Sequence, residues 1–256
     1  MKNIVKLVFL TALMTTIWSV SVWAEDEKPT ASADVGIFTK YVWRGYELSD
    51  ESIVLQPSAT IGYKGFSFNL WGNLDTEVDD GSDDNKFNET DWTLSYATSS
   101  GPVGFDMGYI YYALDGAEYD SEELYLSVGL DTILSPCITI YREISHLPSW
   151  YVSLGLSHSI SLPCKMTLDL AGSVGAYYSD DDDFTEYDST DEYREFHDAL
   201  LSISLTIPLD EYFTISPTIA YSFPLTNKAE DHIEDANGFS NDSDYFFGGV
   251  TISLSF

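Results

Sequence analysis

Hydrophobic and polar residues alternate along most of this chain, and the pattern is cleanest at its end. In "FFGGVTISLSF", Phe246, Gly248, Val250, Ile252, Leu254 and Phe256 share one parity, while Phe247, Gly249, Thr251, Ser253 and Ser255 share the other. An extended strand turns successive side chains to opposite faces, so this segment predicts a strand with one apolar and one small-polar face. The same alternation recurs over 35–44, 55–63, 66–73, 91–97, 103–109, 123–130, 138–143, 151–157, 166–174, 201–207 and 213–222, which makes twelve segments in all.

Twelve is an even number, and the strands carry little charge. A soluble sandwich would bury the apolar faces and expose the others, where Lys and Glu would be expected rather than Ser, Thr and Gly. A membrane barrel reverses the arrangement, with apolar residues facing lipid and small polar residues facing a lumen. The pattern therefore predicts an all-β fold: a transmembrane, up-and-down antiparallel β-barrel of about 12 strands.

The connections alternate in length, as such a barrel requires. Short turns fall at "YKGF", "TSSGPV", "DTILSP", "SISLPC" and "IPLDEY", and long loops at 45–52, 75–90, 113–122, 144–150, 178–198 and 223–244. Short turns are expected in the periplasm and long loops outside. Five of those loops hold 30 of the 42 Asp and Glu residues, so the outer face is predicted to be strongly acidic. Asp79, Asp80, Asp83, Asp84 and Asp180, Asp181, Asp182 and Asp183 form its densest runs. They read as solvated loops, as sites for divalent cations that bridge lipopolysaccharide, or as a field that draws cations to a pore mouth. Neither run has the spacing of an EF-hand loop.

Composition adds location and excludes some partners. Residues 1–24 have a basic start at Lys2 and Lys6, an apolar core and a small-residue "VWA" end, the pattern of a secretory signal cleaved after Ala24. Residues 25–32 then form a short periplasmic segment, and 33–256 the barrel. With 42 acidic against 11 basic residues, the net charge of −31 repels phosphate backbones, so nucleic acid is not an expected partner. The expected partners are outer-membrane lipid and lipopolysaccharide, small solutes, and the barrel assembly machinery, which would read the terminal Phe256. No cofactor is expected.

Parity also nominates the residues that line the lumen. Lys40, Arg44, Trp71, Asp91, Asp106, Tyr112, Glu123, Tyr125, Tyr141, Glu143 and Asp169 point inward by this count, with Asp131, Tyr151 and Tyr177. Carboxylates dominate, which predicts a narrow pore of weak cation selectivity. Arg44 reads either as a cation held by nearby acids such as Glu47 or Asp50, or as part of an outer-mouth constriction. Tyr41, Trp43, Tyr63, Trp92, Tyr109, Tyr178 and Tyr221 have outward parity near strand ends, where an interfacial aromatic girdle belongs.

The four histidines, His146, His158, His197 and His232, have no serine two positions away on the same strand face, so hydrolytic chemistry on lipid is disfavoured. Cys137 and Cys164 each follow a proline. An oxidising compartment permits a disulfide between them. One strand intervenes, however, and two strand spacings come to about 10 Å where a bridge spans roughly 7 Å. Either the turns lean together to form it or the pair are two buried thiols.

"ADVGIFTKYVWRGYELSDES" followed by "LQPSATIGYKGFSFNLWGNLD" resembles the opening of the TorF-like porins, bacterial outer-membrane barrels. "LDTILSPCITIYREI" and "YVSLGLSHSI" are also in their style. The resemblance implies an outer-membrane location and a pore, and brings no catalytic motif. The expected function is a channel for small neutral or cationic solutes. The alternative is a non-conducting surface barrel whose acidic loops bind ions, matrix or a partner.

Overall fold

A computed structural model describes residues 28–49, 52–76, 86–115, 117, 119–182, 184–236 and 242–256. The signal segment, Asp50, Asp79, Asp80, Asp83, Asp84 and Asp183 lie outside the described residues.

Twelve antiparallel strands close into a barrel. They are β1 (Thr30–Phe38) and, after a small inner hairpin of β2 (Val42–Trp43) and β3 (Tyr46–Glu47), β4 (Val54–Tyr63), β5 (Phe66–Asp75), β6 (Lys86–Ser100), β7 (Val103–Leu114), β8 (Ser121–Leu130), β9 (Cys137–Glu143), β10 (Ser149–Ser161), β11 (Thr167–Ser179), β12 (Arg194–Pro208), β13 (Phe213–Pro224) and β14 (Tyr245–Ser255). Each pairs with its chain neighbour, and β1 closes the wall by pairing with β14, Val35 opposite Ile252. Every alternating segment of the sequence lies on or overlaps one of these strands.

The two faces sort as the alternation requires. Ile61, Phe68, Leu94, Leu126, Leu154 and Ile219 stand exposed on the outside. The inside of the short-turn half is lined by hydroxyls and amides bonded across strands. Asn69 Nδ2 donates to Ser58 and to Thr60 at 2.8 Å each, and Thr218 Oγ1 donates to Ser204 at 2.9 Å. Facing the interior, these groups satisfy one another across neighbouring strands.

The turns are built from local chemistry. Lys64 and Gly65 take positive φ, 52° and 84°, as a two-residue hairpin with the twist of its strands requires. Asp210 accepts from the backbone N–H groups of Phe213 and Tyr212, which holds its carboxyl below the usual range. Toward the long-loop ends of the strands, Trp92, Tyr178 and Tyr221 stand exposed, with Arg142 stacked 4.9 Å from Trp150 and Arg194 4.1 Å from Tyr178. Tyr63 occupies the opposite rim.

Two expectations are corrected here. The first alternating segment is not one strand through Arg44: β1 ends at Phe38, and Tyr41 and Trp43 do not face lipid. The chain leaves the wall at Thr39 and turns inward as the β2–β3 hairpin, so Tyr41 packs inside against Phe38, Val54 and Trp71. The second concerns the cysteines. Both are free, Cys137 buried in the wall and Cys164 exposed on the turn at Pro163–Lys165. β10 separates their strands, which leaves them too far apart to bridge. A bulky maleimide is therefore expected to label one thiol per folded chain and two after denaturation. Mass spectrometry of the labelled protein checks this, and protection of both thiols in the absence of reductant would contradict it.

Candidate functional site

The half of the barrel interior at the long-loop end is filled by its own chain. At the tip of the β2–β3 hairpin, Arg44 and Gly45 both take positive φ, 48° and 85°. This is the mirror-image two-residue turn, in which asparagine or glycine is usual at the first central position. An arginine there costs about 1–3 kcal/mol of backbone strain, so the surroundings must offset it. Gly45 is required on space as well as on φ, since an added Cβ would come within 3.0 Å of Asp198 Cβ and 3.1 Å of Ile233 Cδ1.

What offsets the strain is the seat that the guanidinium occupies. Arg44 Nη1 and Nη2 donate to Glu123 Oε1 and Oε2 on β8, each at 2.7 Å, a two-pronged fork buried on both sides. Fork geometry of this kind gives the stronger class of charge-assisted hydrogen bond. Tyr112 donates to the same carboxylate at 2.8 Å. The guanidinium also lies 4.4 Å from the ring centroid of Trp43, 4.5 Å from that of Tyr141 and 4.3 Å from that of Tyr151. Cation–π contact is strongest where water is excluded.

The wall of this seat is a row of tyrosines in register across four adjacent strands. Tyr125 pairs with Tyr141, Tyr141 with Tyr151, and Tyr151 with Tyr177. Their centroids are 5.8, 6.1 and 4.8 Å apart. Tyr125 donates to Asp106 and Tyr151 to Asp198, both at 2.8 Å, so each ring is fixed at its hydroxyl end. Asp198 reaches this position through a bulge: Ala176 opposes Phe196 while Val174 opposes Ala199, which turns both His197 and Asp198 inward.

A second plug component closes over the hairpin from the last loop. Helix α1 (Asn227–Ala236) starts at Thr226, whose hydroxyl accepts from the Ala229 N–H at 3.1 Å as an N-cap. It buries Ile233 against Leu200, Ala220, Tyr245 and Phe247, with Val42 and Tyr46 of the hairpin on the same cluster. Tyr46 sits between His197 and His232, at 4.9 and 6.0 Å between centroids, and Tyr193 shares a 2.7 Å hydrogen bond with His197 Nδ1. Burial pushes the His232 imidazole below its usual value.

The residues nominated from parity are found as follows. Trp71, Asp91, Asp106, Tyr112, Glu123, Tyr125 and Glu143 are buried inside, and Tyr141 and Asp169 are half-buried there. Lys40 pairs at 2.5 Å with Glu47, and the partner of Arg44 is Glu123 rather than the neighbouring Glu47. Glu143 anchors its own loop, accepting from the Ser145 and His146 N–H groups at 3.0 and 3.2 Å. Asp169 accepts from Ser159 at 2.6 Å and Thr206 at 3.2 Å. Asp131 lies exposed on a turn. Asp180 is engaged by Arg142 at 2.5 Å, and among the described residues no group of three or more His, Cys, Asp or Glu is placed to hold a metal ion.

Sequence reasoning missed Asp34, Glu89, His197 and Asp198 as interior groups. Glu89 shares the parity of Asp91 and could have been found by extending that strand two residues. Asp198 could not, because the bulge breaks the alternation. Of the two histidines outside the plug, His158 Nδ1 meets the Ile133 carbonyl at 2.7 Å, and His146 stacks on Tyr119 at 4.1 Å between centroids.

Comparison with known proteins supports the fold and gives a family. A solved NanC porin is 10% identical, with 88% of this chain and 98% of that one covered at a TM-score of 0.55. An outer membrane channel from Pseudomonas putida F1 is 8% identical, covering 91% and 97% at a TM-score of 0.47. At 10% identity the likeness to the NanC porin is one of fold alone. No curated protein matches the chain. A family model described as bacterial protein of unknown function (Gcw_chp) matches residues 24–191. That match spans well over half of the sequence, and the chain belongs to the Gcw_chp family.

Proposed function

We propose that this protein is a bacterial outer-membrane channel for small neutral or cationic solutes, narrowed at its outer half by the β2–β3 hairpin. The carrying observation is the charge of the interior. Asp34, Asp75, Glu89, Asp91, Asp106, Glu123, Glu143 and Asp198 are buried inside the wall, against Lys40 and Arg44 among the described cations. The apolar exterior suits lipid, and the polar short-turn half suits water. The porin-like fold and the resemblance of the opening residues to the TorF-like porins agree with this reading. An acidic lumen lowers the barrier for cations and raises it for anions.

Planar-bilayer recording under a salt gradient tests it. The reversal potential is expected to carry the sign of cation preference, and to fall toward zero as added salt screens the lumen. Anion preference would overturn the reading. Silence under all conditions would favour the second one, a non-conducting surface barrel, which the dry cluster of Ile233, Leu200 and Phe247 at the outer end supports.

A further inference from the structure

We propose that the seat of Arg44 is a recognition site for guanidinium-bearing solutes, and that Arg44 is its built-in occupant. The inference rests on the channel reading for its purpose but not for its test. Four features of the seat fit a free guanidinium as well as a tethered one. Glu123 presents both carboxylate oxygens, each 2.7 Å from a separate guanidinium nitrogen. The Tyr112 hydroxyl fixes that carboxylate by donating to Oε2 at 2.8 Å. Tyr141 and Tyr151 offer ring faces at 4.5 and 4.3 Å. Asp198, held by the Tyr151 hydroxyl at 2.8 Å, places a second carboxylate beside the same ring.

Everything that holds the cation in this set, apart from Trp43, belongs to the barrel wall. Only the guanidinium comes from a loop, on a turn of two residues at positive φ. A structural ion pair needs no such arrangement, since an arginine rooted in a neighbouring strand could reach Glu123 without a strained turn. A cation delivered on a hairpin that enters the lumen can also be withdrawn. When the hairpin leaves, Glu123 faces the lumen without a counter-ion and the tyrosine faces are uncovered. The best replacement then matches the fork and the flat faces together. A planar guanidinium does so, while a compact ammonium or sodium ion matches neither the two-pronged geometry nor the stacking. Asp106 Oδ2 and Glu143 Oε2, buried in the same interior without hydrogen-bond partners, would favour a solute carrying further positive charge.

The test is binding of guanidinium chloride, at millimolar levels far below denaturing ones, to refolded full-length barrel in detergent. Titration calorimetry and tryptophan fluorescence serve as readouts, with sodium chloride at matched ionic strength as the reference. R44A is expected to bind guanidinium saturably at one site per chain and at least tenfold more tightly than methylammonium, a preference set by the fork and the stacking. Wild type, its site filled, and the double variant R44A/E123Q are expected to show no saturable binding. Absence of saturable binding to R44A, or equal binding by the double variant, overturns the proposal. Should R44A fail to assemble alone, its refolding yield is the readout: rescue by guanidinium and not by sodium supports the site, and equal yields sink it. None of these measurements needs an ion current, so a failed site leaves the channel reading standing, and a silent bilayer leaves the site standing.

Discussion

Replacing Glu123 with glutamine is expected to release the β2–β3 hairpin and raise the conductance of the barrel. In the wild type the Arg44–Glu123 fork is the charged link between the hairpin tip and the wall, and both groups are almost wholly buried. Glutamine keeps the volume but removes the charge, leaving a guanidinium buried opposite a neutral amide. Breaking one side of a buried pair costs about 3–5 kcal/mol. At about 1.4 kcal/mol per tenfold, that shifts the docked-to-undocked ratio by roughly two to three and a half powers of ten. The attachment that remains includes Tyr41 on Trp71, 5.6 Å between centroids, Trp43 on Tyr112 at 6.1 Å, Tyr46 on His197, Val42 in the Ile233 cluster and the guanidinium on Tyr141 and Tyr151. The Lys40–Glu47 pair lies within the inner segment, and the Lys40 ammonium is 6.0 Å from the Tyr245 ring of β14, a looser contact than the buried fork. Lys40→Met should accordingly change conductance far less than Glu123→Gln. Single-channel recording reads the difference, and quenching of Trp43 by acrylamide reports the release without a current. Unchanged conductance and unchanged quenching in Glu123→Gln would show that apolar packing alone holds the plug.

The contrast between wall and plug explains what the sequence disclosed. Barrel strands are legible because each side chain has only two environments, exterior or interior, and Leu94, Leu126 and Ile203 alternate with Ser95, Ser127 and Ser204 accordingly. Parity also placed Glu123, Tyr112 and Tyr141 inside, because that assignment needs only the face and not the partner. Thr39 to Glu47 defeats the same logic. Tyr41 and Trp43 continue the parity of Val35 and Ile37, so the alternation runs on unbroken although the chain has left the wall. A hairpin packed inside a barrel also has two faces, and periodicity does not say which of two apolar surroundings an apolar face meets. The clue that was present is the dipeptide Arg44-Gly45 between "VW" and "YE", a two-residue turn flanked by pairing residues. Helix α1 was masked in another way. Its acidic face suited the expectation of a solvated loop, while its anchoring residues, Ala229 and Ile233, are only four apart on one face.

Arginine placed at Leu126 is expected to cost far more stability than arginine at Leu130, although both leucines are outward, on β8, and similarly exposed, at 42% and 43%. Leu126 lies midway along the strand, opposite Met107 and Ile140, which face outward on either side. Leu130 ends the strand beside the short turn, at the level where the polar boundary of a bilayer should fall. A cation on the lipid face costs about 2–4 kcal/mol at the midplane and about 0–1 kcal/mol near the interface. In water neither substitution would be penalised in this graded way, because arginine on an exposed face is solvated at either height. Denaturant unfolding of barrels refolded into lipid vesicles measures both changes against wild type. A deficit at Leu126→Arg that vanishes at Leu130→Arg fixes the barrel across a membrane, with the short turns at one of its boundaries. Equal costs at the two heights would mean that no hydrocarbon layer surrounds the middle of the wall. The exposed leucines would then need a protein partner to cover them.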